Sequence, residues 1–184
     1  ILLAIRDARS GDSKKVSSIE SVHIKYAGSP LISGQQCFWK VKTWDKDDKE
    51  SDWSETASFS MGLLQESDWK ASWIGLDKAV GADNIKQEKT KLSARYLRKE
   101  FETASEIKRA TVYMCGQGTS VLYINGKKTG DAVLSPALSE YRKRSYYVTY
   151  EIAPRIIKGK NAIGVILGNG RFLNMRAKEP FSMQ

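Results

Sequence analysis

Histidine, cysteine and proline are scarce in this chain: its 184 residues include one histidine, two cysteines and four prolines. The single imidazole, His23, has no thiolate at ligand spacing, which excludes the common His/Cys metal sites, and it reads as a surface or half-buried residue rather than a catalyst. Cys37 and Cys115 fall inside strand patterns of different domains and read as two small buried hydrophobes rather than a disulfide. No apolar run approaches the roughly 20 residues of a membrane-spanning helix, so no membrane partner is expected. Also missing are a charged-then-apolar leader and the long 3.6-period apolar pattern of a helical barrel. The chain opens at Ile1 as if inside a strand, and its natural beginning is expected upstream. No cofactor or metal is implied, because even the Asp47-Asp48 pair lacks the ordered oxygen spacing of a calcium loop.

What is present is a folding composition, with 41% hydrophobic and 28% charged residues. The formal charge of +9 raises the question of nucleic acid. Its distribution answers against it. Lysines alternate with apolar residues in WKVKTW or sit in the turns Gly126-Lys127-Lys128 and Lys158-Gly159-Lys160, as a solvated face requires, so no nucleic-acid partner is expected.

The chain is organised around VLYINGKKTG, where a strand runs into Asn125-Gly126 and reverses. Both central residues of a two-residue hairpin turn need positive φ, which glycine adopts freely and asparagine more cheaply than most. A hairpin is therefore predicted over 121–130, followed by a tyrosine-rich strand, SYYVTYEI at 145–152, and an apolar strand, AIGVILG at 162–168, in an antiparallel sheet. Earlier, ARYLRKEF at 94–101 and ATVYMCG at 110–116 read as strands, the second with Ala110, Val112 and Met114 facing the core. Residues 77–93 are polar and without period, and read as a loop.

In the first third, ILLAIRDA and VHIKYAG read as short strands. CFWKVKTW is clearer: Cys37, Trp39, Val41 and Thr43 point one way and Phe38, Lys40, Lys42 and Trp44 the other, with Trp39 as a core anchor. After the polar loop Asp45–Glu50, the segment Asp52-Trp53-Ser54 begins a return to a last strand at 56–59. Trp69 and Trp73 in the following link are expected to fill the seam between domains, with a sugar platform as the alternative.

These blocks resemble a known family. WKVKTWD, SDWS, GLL, DW and WIG, in this order, look like the fibronectin-III-like module and linker of bacterial α-L-rhamnosidases. YLRKEF, ATVYMCGQG, LYINGK, Y-x-K-R-x-Y-Y-x-T-Y-E-I and KGKNAIGV-x-LGNG look like the amino-terminal β-sandwich of the same family, although Arg171 stands where the pattern has Trp. The resemblance implies an all-β chain: a partial fibronectin-III-like sandwich over 1–61, amino-terminally truncated, then a jelly-roll-like antiparallel β-sandwich over 62–184, carboxy-terminally truncated. It also implies a parent that hydrolyses terminal α-L-rhamnosyl bonds with inversion on a downstream (α/α)₆ barrel, the expected partner, and export to the periplasm or beyond in a bacterium.

Inverting hydrolysis needs two carboxyl groups roughly 6.5–9.5 Å apart in one cleft. The acids here read otherwise: Asp45, Asp47 and Asp48 crowd one loop, and Glu100, Glu102 and Glu151 decorate strands. This chain is therefore expected to carry no catalytic residue and to be inactive alone. Two patches combine the rings, donors and open backbone that hold a pyranose. One is Tyr141, Arg142, Arg144 and Tyr146; the other is Gly168-Asn169-Gly170-Arg171, whose glycines would let a ligand approach the backbone. Tyr141, Arg144, Asn169 and Arg171 are the candidate contacts to rhamnose-containing glycans. Edge packing and a plain turn are the structural alternatives. A stand-alone carbohydrate-binding or adhesion module and a ligand-free spacer are the competing functions.

Overall fold

Alternating burial is clearest in the strand Thr119–Ile124, while Gly159–Gly168 is a continuous apolar run from Ala162 onward. The computed structural model describes residues 2–7, 11–12, 15–17, 26, 28–75, 92–141 and 143–172. Among these, helix is confined to 3₁₀ turns at Glu66–Asp68 and Ala153–Arg155, and every paired strand is antiparallel. No helix among them is long and apolar enough to cross a membrane. Most of the strand expected at VHIKYAG, His23, Arg142 and most of the 77–93 loop lie outside the described residues. The chain divides into two compact units, Ile1–Ser72 and Trp73–Gln184.

In the first unit, β1 (Leu2–Asp7) pairs with β2 (Gly11–Asp12), β3 (Val16–Ser17) and β4 (Gln36–Trp44), and β5 (Ala57–Ser60) completes the order β2-β1-β4-β5. Cys37 on β4 is buried, as its place in the alternation predicts. Trp39 is not the core anchor expected from that pattern: 38% of it is exposed. Its register neighbour on β5 is Ala57, whose methyl is too small to cover an indole.

Beyond β5, the Ser51-Asp52-Trp53-Ser54 return closes β4 in another way. The Ser54 hydroxyl accepts the Val41 N–H at 3.0 Å and the Ser51 hydroxyl the Thr43 N–H at 3.1 Å, while the Ser54 and Ser51 N–H groups donate to the Val41 and Thr43 carbonyls. Trp53 lies under two lysines, with Lys40 Nζ 4.8 Å and Lys42 Nζ 5.2 Å from its ring centroid. Each such contact contributes about 0.5–1 kcal/mol at an exposed site. The motif is thus a strand edge sealed by hydroxyls, with its tryptophan held by the lysines of WKVKTW.

Segment 62–72 clusters with this first unit, and the reason is local. The Gly34 N–H donates to the Gly62 carbonyl, the Ser33 hydroxyl accepts the Leu64 N–H and donates to the Asp68 carboxylate, and Asp68 also accepts the Gln65 N–H. The Ser33 and Gln65 hydrogen bonds hold the Asp68 carboxyl below its ordinary range.

The second unit contains β6 (Arg95–Thr103), β7 (Thr111–Met114), β8 (Thr119–Ile124), β9 (Lys127–Thr129), β10 (Val148–Glu151) and β11 (Gly159–Gly168). One sheet has the order β6-β11-β8-β9; the other is the pair β10-β7. The predicted hairpin is present, with φ of 51° at Asn125 and 77° at Gly126. Every second residue of β8 is buried, and Leu122 and Ile124 are wholly so. With Tyr150 and Ile152 they form a core against which Ala110, Val112 and Met114 pack from one sheet and Ile163 and Val165 from the other. Full burial of a side chain the size of Leu or Ile stabilises by about 1.5–3 kcal/mol.

Three expectations are corrected. The tyrosine strand does not share a sheet with its neighbours: it crosses the core to pair with β7, because the turn Ala153–Arg155 carries the chain from one sheet to the other. Only Val148–Glu151 of SYYVTYEI is strand, since β7 ends at Met114, opposite Val148, and the Tyr146 N–H is taken by the Ser139 hydroxyl. Finally, Gly159-Lys160-Asn161 is the start of β11 rather than a turn, pairing with Phe101–Thr103.

Candidate functional site

Asn125 and Asn161 both stand in quoted motifs, and their side chains bond to each other. Asn125 Nδ2 donates to Asn161 Oδ1 and to the Arg155 carbonyl, each at 2.9 Å, and Asn125 Oδ1 accepts the Ala162 N–H at 2.8 Å. Asn161, 3% exposed, also accepts the Ile157 N–H and donates to the Ile157 and Gly159 carbonyls. Together these bonds use the donor and acceptor capacity of its amide. The pair staples the hairpin to β11 and is structural.

The two candidate sugar patches meet in one place. After Pro136 the buried Ser139 hydroxyl fixes the chain by accepting the Tyr146 N–H at 3.0 Å. The Glu140 carbonyl then accepts the N–H groups of Lys143 and Arg144, making a turn that carries Tyr141 and Arg144. The Arg144 guanidinium stands 5.7 Å from the Tyr146 ring centroid, and 44% of Tyr146 is exposed. Tyr141 packs edge-to-face on Phe172, with centroids 5.1 Å apart and planes at 78°. Phe172 directly follows Arg171, which is exposed, so the ring contact joins the first patch to the second. Sequence reasoning missed Phe172, because a single aromatic after a glycine turn has no periodicity to reveal its partner.

The glycines of 168–171 face the protein's own Gly118-Thr119 segment. A Cβ at Gly170, where φ is 49°, would lie 2.7 Å from Gly118 Cα, and one at Gly168 would lie 2.7 Å from Thr119 Oγ1. The close approach they permit is thus between this turn and Gly118-Thr119. Asn169 Nδ2 donates to the Leu92 carbonyl at 2.7 Å, holding the turn from its other side. The resulting corner offers aromatic faces beside guanidinium donors, a surface suited to a polyol or another ring.

The carboxyl chemistry differs from that of a general acid. Burial raises the Glu151 carboxyl, but hydrogen bonds from the Ala110 and Ala153 N–H groups and the Thr111 hydroxyl, with the Arg109 charge, outweigh it and leave the group lowered. Glu100 pairs with Arg98 at 2.6 Å and Glu140 with Lys143 at 3.0 Å. In the acidic loop, Asp45 Oδ1 accepts the Asp47 and Lys49 N–H groups, and Asp48 pairs with Lys15. No group of three or more His, Cys, Asp and Glu residues that could hold a metal ion occurs among the described residues. Cys37 and Cys115 are both free, and burial raises the Cys115 thiol.

Among the described residues both units are thus all-β, the first with one antiparallel sheet and the second with two. Residues 2–65 match the family described as Rha78A-like, N-terminal immunoglobulin domain, and residues 105–183 match the Alpha-L-rhamnosidase N-terminal domain. In chain order, these two segments are thus similar to successive amino-terminal domains of α-L-rhamnosidases. It is 42% identical over 172 residues to an α-L-rhamnosidase of Formosa agariphila, covering 86% of this chain and 18% of that protein. It is 36% identical over 160 residues to one from an Alteromonas species, covering 86% of this chain and 17% of that one. Among solved structures, α-L-rhamnosidase from Dictyoglumus thermophilum superposes with a TM-score of 0.85 at 38% identity, over 93% of this chain and 21% of its own. That from Aspergillus terreus gives 0.75 at 26%, over 94% and 20%. The chain thus spans about a fifth of the length of the relatives it matches.

Proposed function

We propose that this chain is the non-catalytic amino-terminal part of a glycoside hydrolase that removes terminal α-L-rhamnosyl groups with inversion, where it braces an (α/α)₆ barrel and contributes sugar contacts. The observation that carries the reading is the succession of two rhamnosidase-type domain matches, 2–65 and 105–183, along one chain. The chemistry supports it. An inverting pair needs a carboxyl kept protonated at working pH beside a carboxylate base, and the shifts at Asp68 and Glu151 both run toward the anion. The corner of Tyr141, Arg144, Tyr146, Arg171 and Phe172 supports the auxiliary sugar contact, with Asn169 shaping its turn. A parent acting on plant or microbial glycans works in the periplasm or outside the cell, which cell fractionation tests.

The test is an amide NMR titration of this chain with L-rhamnose and a rhamnosylated flavonoid, run beside a hydrolysis assay on an aryl α-L-rhamnoside. Shifts confined to 139–146 and 169–172 without turnover are expected. Turnover by the chain alone would overturn the non-catalytic reading, and a spectrum unmoved by either sugar would leave bracing as its role. Millimolar or tighter affinity from a polypeptide that ends with these two domains would favour a stand-alone carbohydrate-binding module.

A further inference from the structure

The segment between β9 and β10 exposes apolar side chains while its backbone is pinned. Val133 is 81% exposed, Leu134 78% and Leu138 57%. Leu134 has φ of 55°, a left-handed conformation that a leucine rarely adopts. The pins are close by. The Ser120 N–H donates to the Ser135 carbonyl at 2.7 Å, Lys128 Nζ donates to the Ala132 carbonyl at 3.3 Å, and Pro136 and Ser139 are buried. A strained residue persists only where its surroundings over-determine it. Here they hold an apolar side chain out into water, which gains nothing for the chain taken alone. A glycine or asparagine at position 134 would make the same turn with less strain.

We propose that Val133, Leu134 and Leu138 form a docking knob for the part of the parent polypeptide that lies outside these 184 residues. The inference rests on the reading of the chain as one region of a longer rhamnosidase, and it names the surface by which that region grips the remainder. Two observations select this occupant. The chain spans only 18% of the Formosa agariphila relative and 21% of the Dictyoglumus thermophilum structure, so about four fifths of such a polypeptide is tethered to it. Tethering gives an effective concentration of the order of millimolar. Three aliphatic side chains fall far short of the roughly 1,000 Å² that a stable interface between separate molecules needs, which favours a tethered occupant over a separate one.

The experiment uses the full-length parent protein. Leu134→Cys and, as an exposed reference on the hairpin, Lys127→Cys are labelled with a maleimide under native conditions, and the modified peptides are resolved from Cys37 and Cys115 by mass spectrometry. Leu134→Cys is expected to react at least tenfold more slowly than Lys127→Cys. Equal rates would overturn the proposal, as would protection that disappears on dilution to monomer, which would make the occupant a second copy. Leu134→Asn supplies a second arm, since asparagine tolerates the left-handed backbone while the apolar knob is removed. Its amides over 131–138 should exchange at least tenfold faster in the parent than those of wild type, and unchanged exchange would again overturn the proposal. Hydrolysis of an aryl α-L-rhamnoside by the same preparation reads the rhamnosidase assignment independently of either arm.

Discussion

Replacing Asn161 by alanine tests whether the motif asparagines are a structural staple. The side chain is 3% exposed and engages four groups: the Ile157 N–H, the Ile157 and Gly159 carbonyls, and Asn125 Nδ2. Each buried polar group left without a partner costs about 1–3 kcal/mol, and a hydrogen bond that water can replace costs about 1. Ile157 is 60% exposed, so water reaches its backbone more readily than it reaches the buried end of the Asn125 amide. With about 1 for each of the three groups on Ile157 and Gly159 and about 1–3 for the Asn125 amide, the sum is about 4–6 kcal/mol, or roughly 20 °C in the melting of the second unit. Asn161→Asp sharpens the case. It keeps the shape, but a carboxylate cannot donate to the two carbonyls, so it should cost at least as much at neutral pH and recover in part on acidification. Urea unfolding followed through amide signals of β8 and β11 isolates this unit. Stability of Asn161→Ala within about 0.5 kcal/mol of wild type would refute the reasoning.

Two further predictions concern charge and backbone. Because the Glu151 carboxyl is lowered in the folded chain, its stabilising contribution is present above the unfolded glutamate value of about 4.3 and is lost as pH falls through the lower folded value; Glu151→Gln should therefore flatten the acid limb of a stability-versus-pH curve, and an unchanged limb would remove that residue from the account. Gly170→Ala places a Cβ 2.7 Å from Gly118 Cα at a φ of 49° and should cost at least about 2 kcal/mol, with loss of the Tyr141–Phe172 ring contact seen by near-ultraviolet circular dichroism.

What could be read from the sequence is what depends on neighbours along the chain. The Asn125-Gly126 turn, the alternation of β8 and the inward Ala110, Val112 and Met114 are local patterns, and all are present. What escaped depends on partners far away. Nothing within SYYVTYEI states that its second half crosses to β7, because either sheet would bury the same face. Trp39 has the period of a core residue, but its exposure is set by Ala57, eighteen positions on and across the sheet. Lys158-Gly159-Lys160 reads as a turn, while the strand in fact begins at Gly159 and the Asn161 amide satisfies the bend from inside it. At the candidate site, Tyr141 and Arg144 were visible as residue types, but their union with the 168–171 turn through Phe172 was not.

The hydroxyl-sealed edge of β4 bears on how such a protein survives its own synthesis. A strand edge is a template, and in a polypeptide built of successive sheets each newly emerged edge meets strands of the next domain before that domain has closed. With Ser51 and Ser54 already occupying the Val41 and Thr43 amides, and Trp53 lying beneath Lys40 and Lys42, β4 offers later sequence no register to copy. The four residues of the return thus leave no Val41 or Thr43 amide or carbonyl on that edge open to a strand made later.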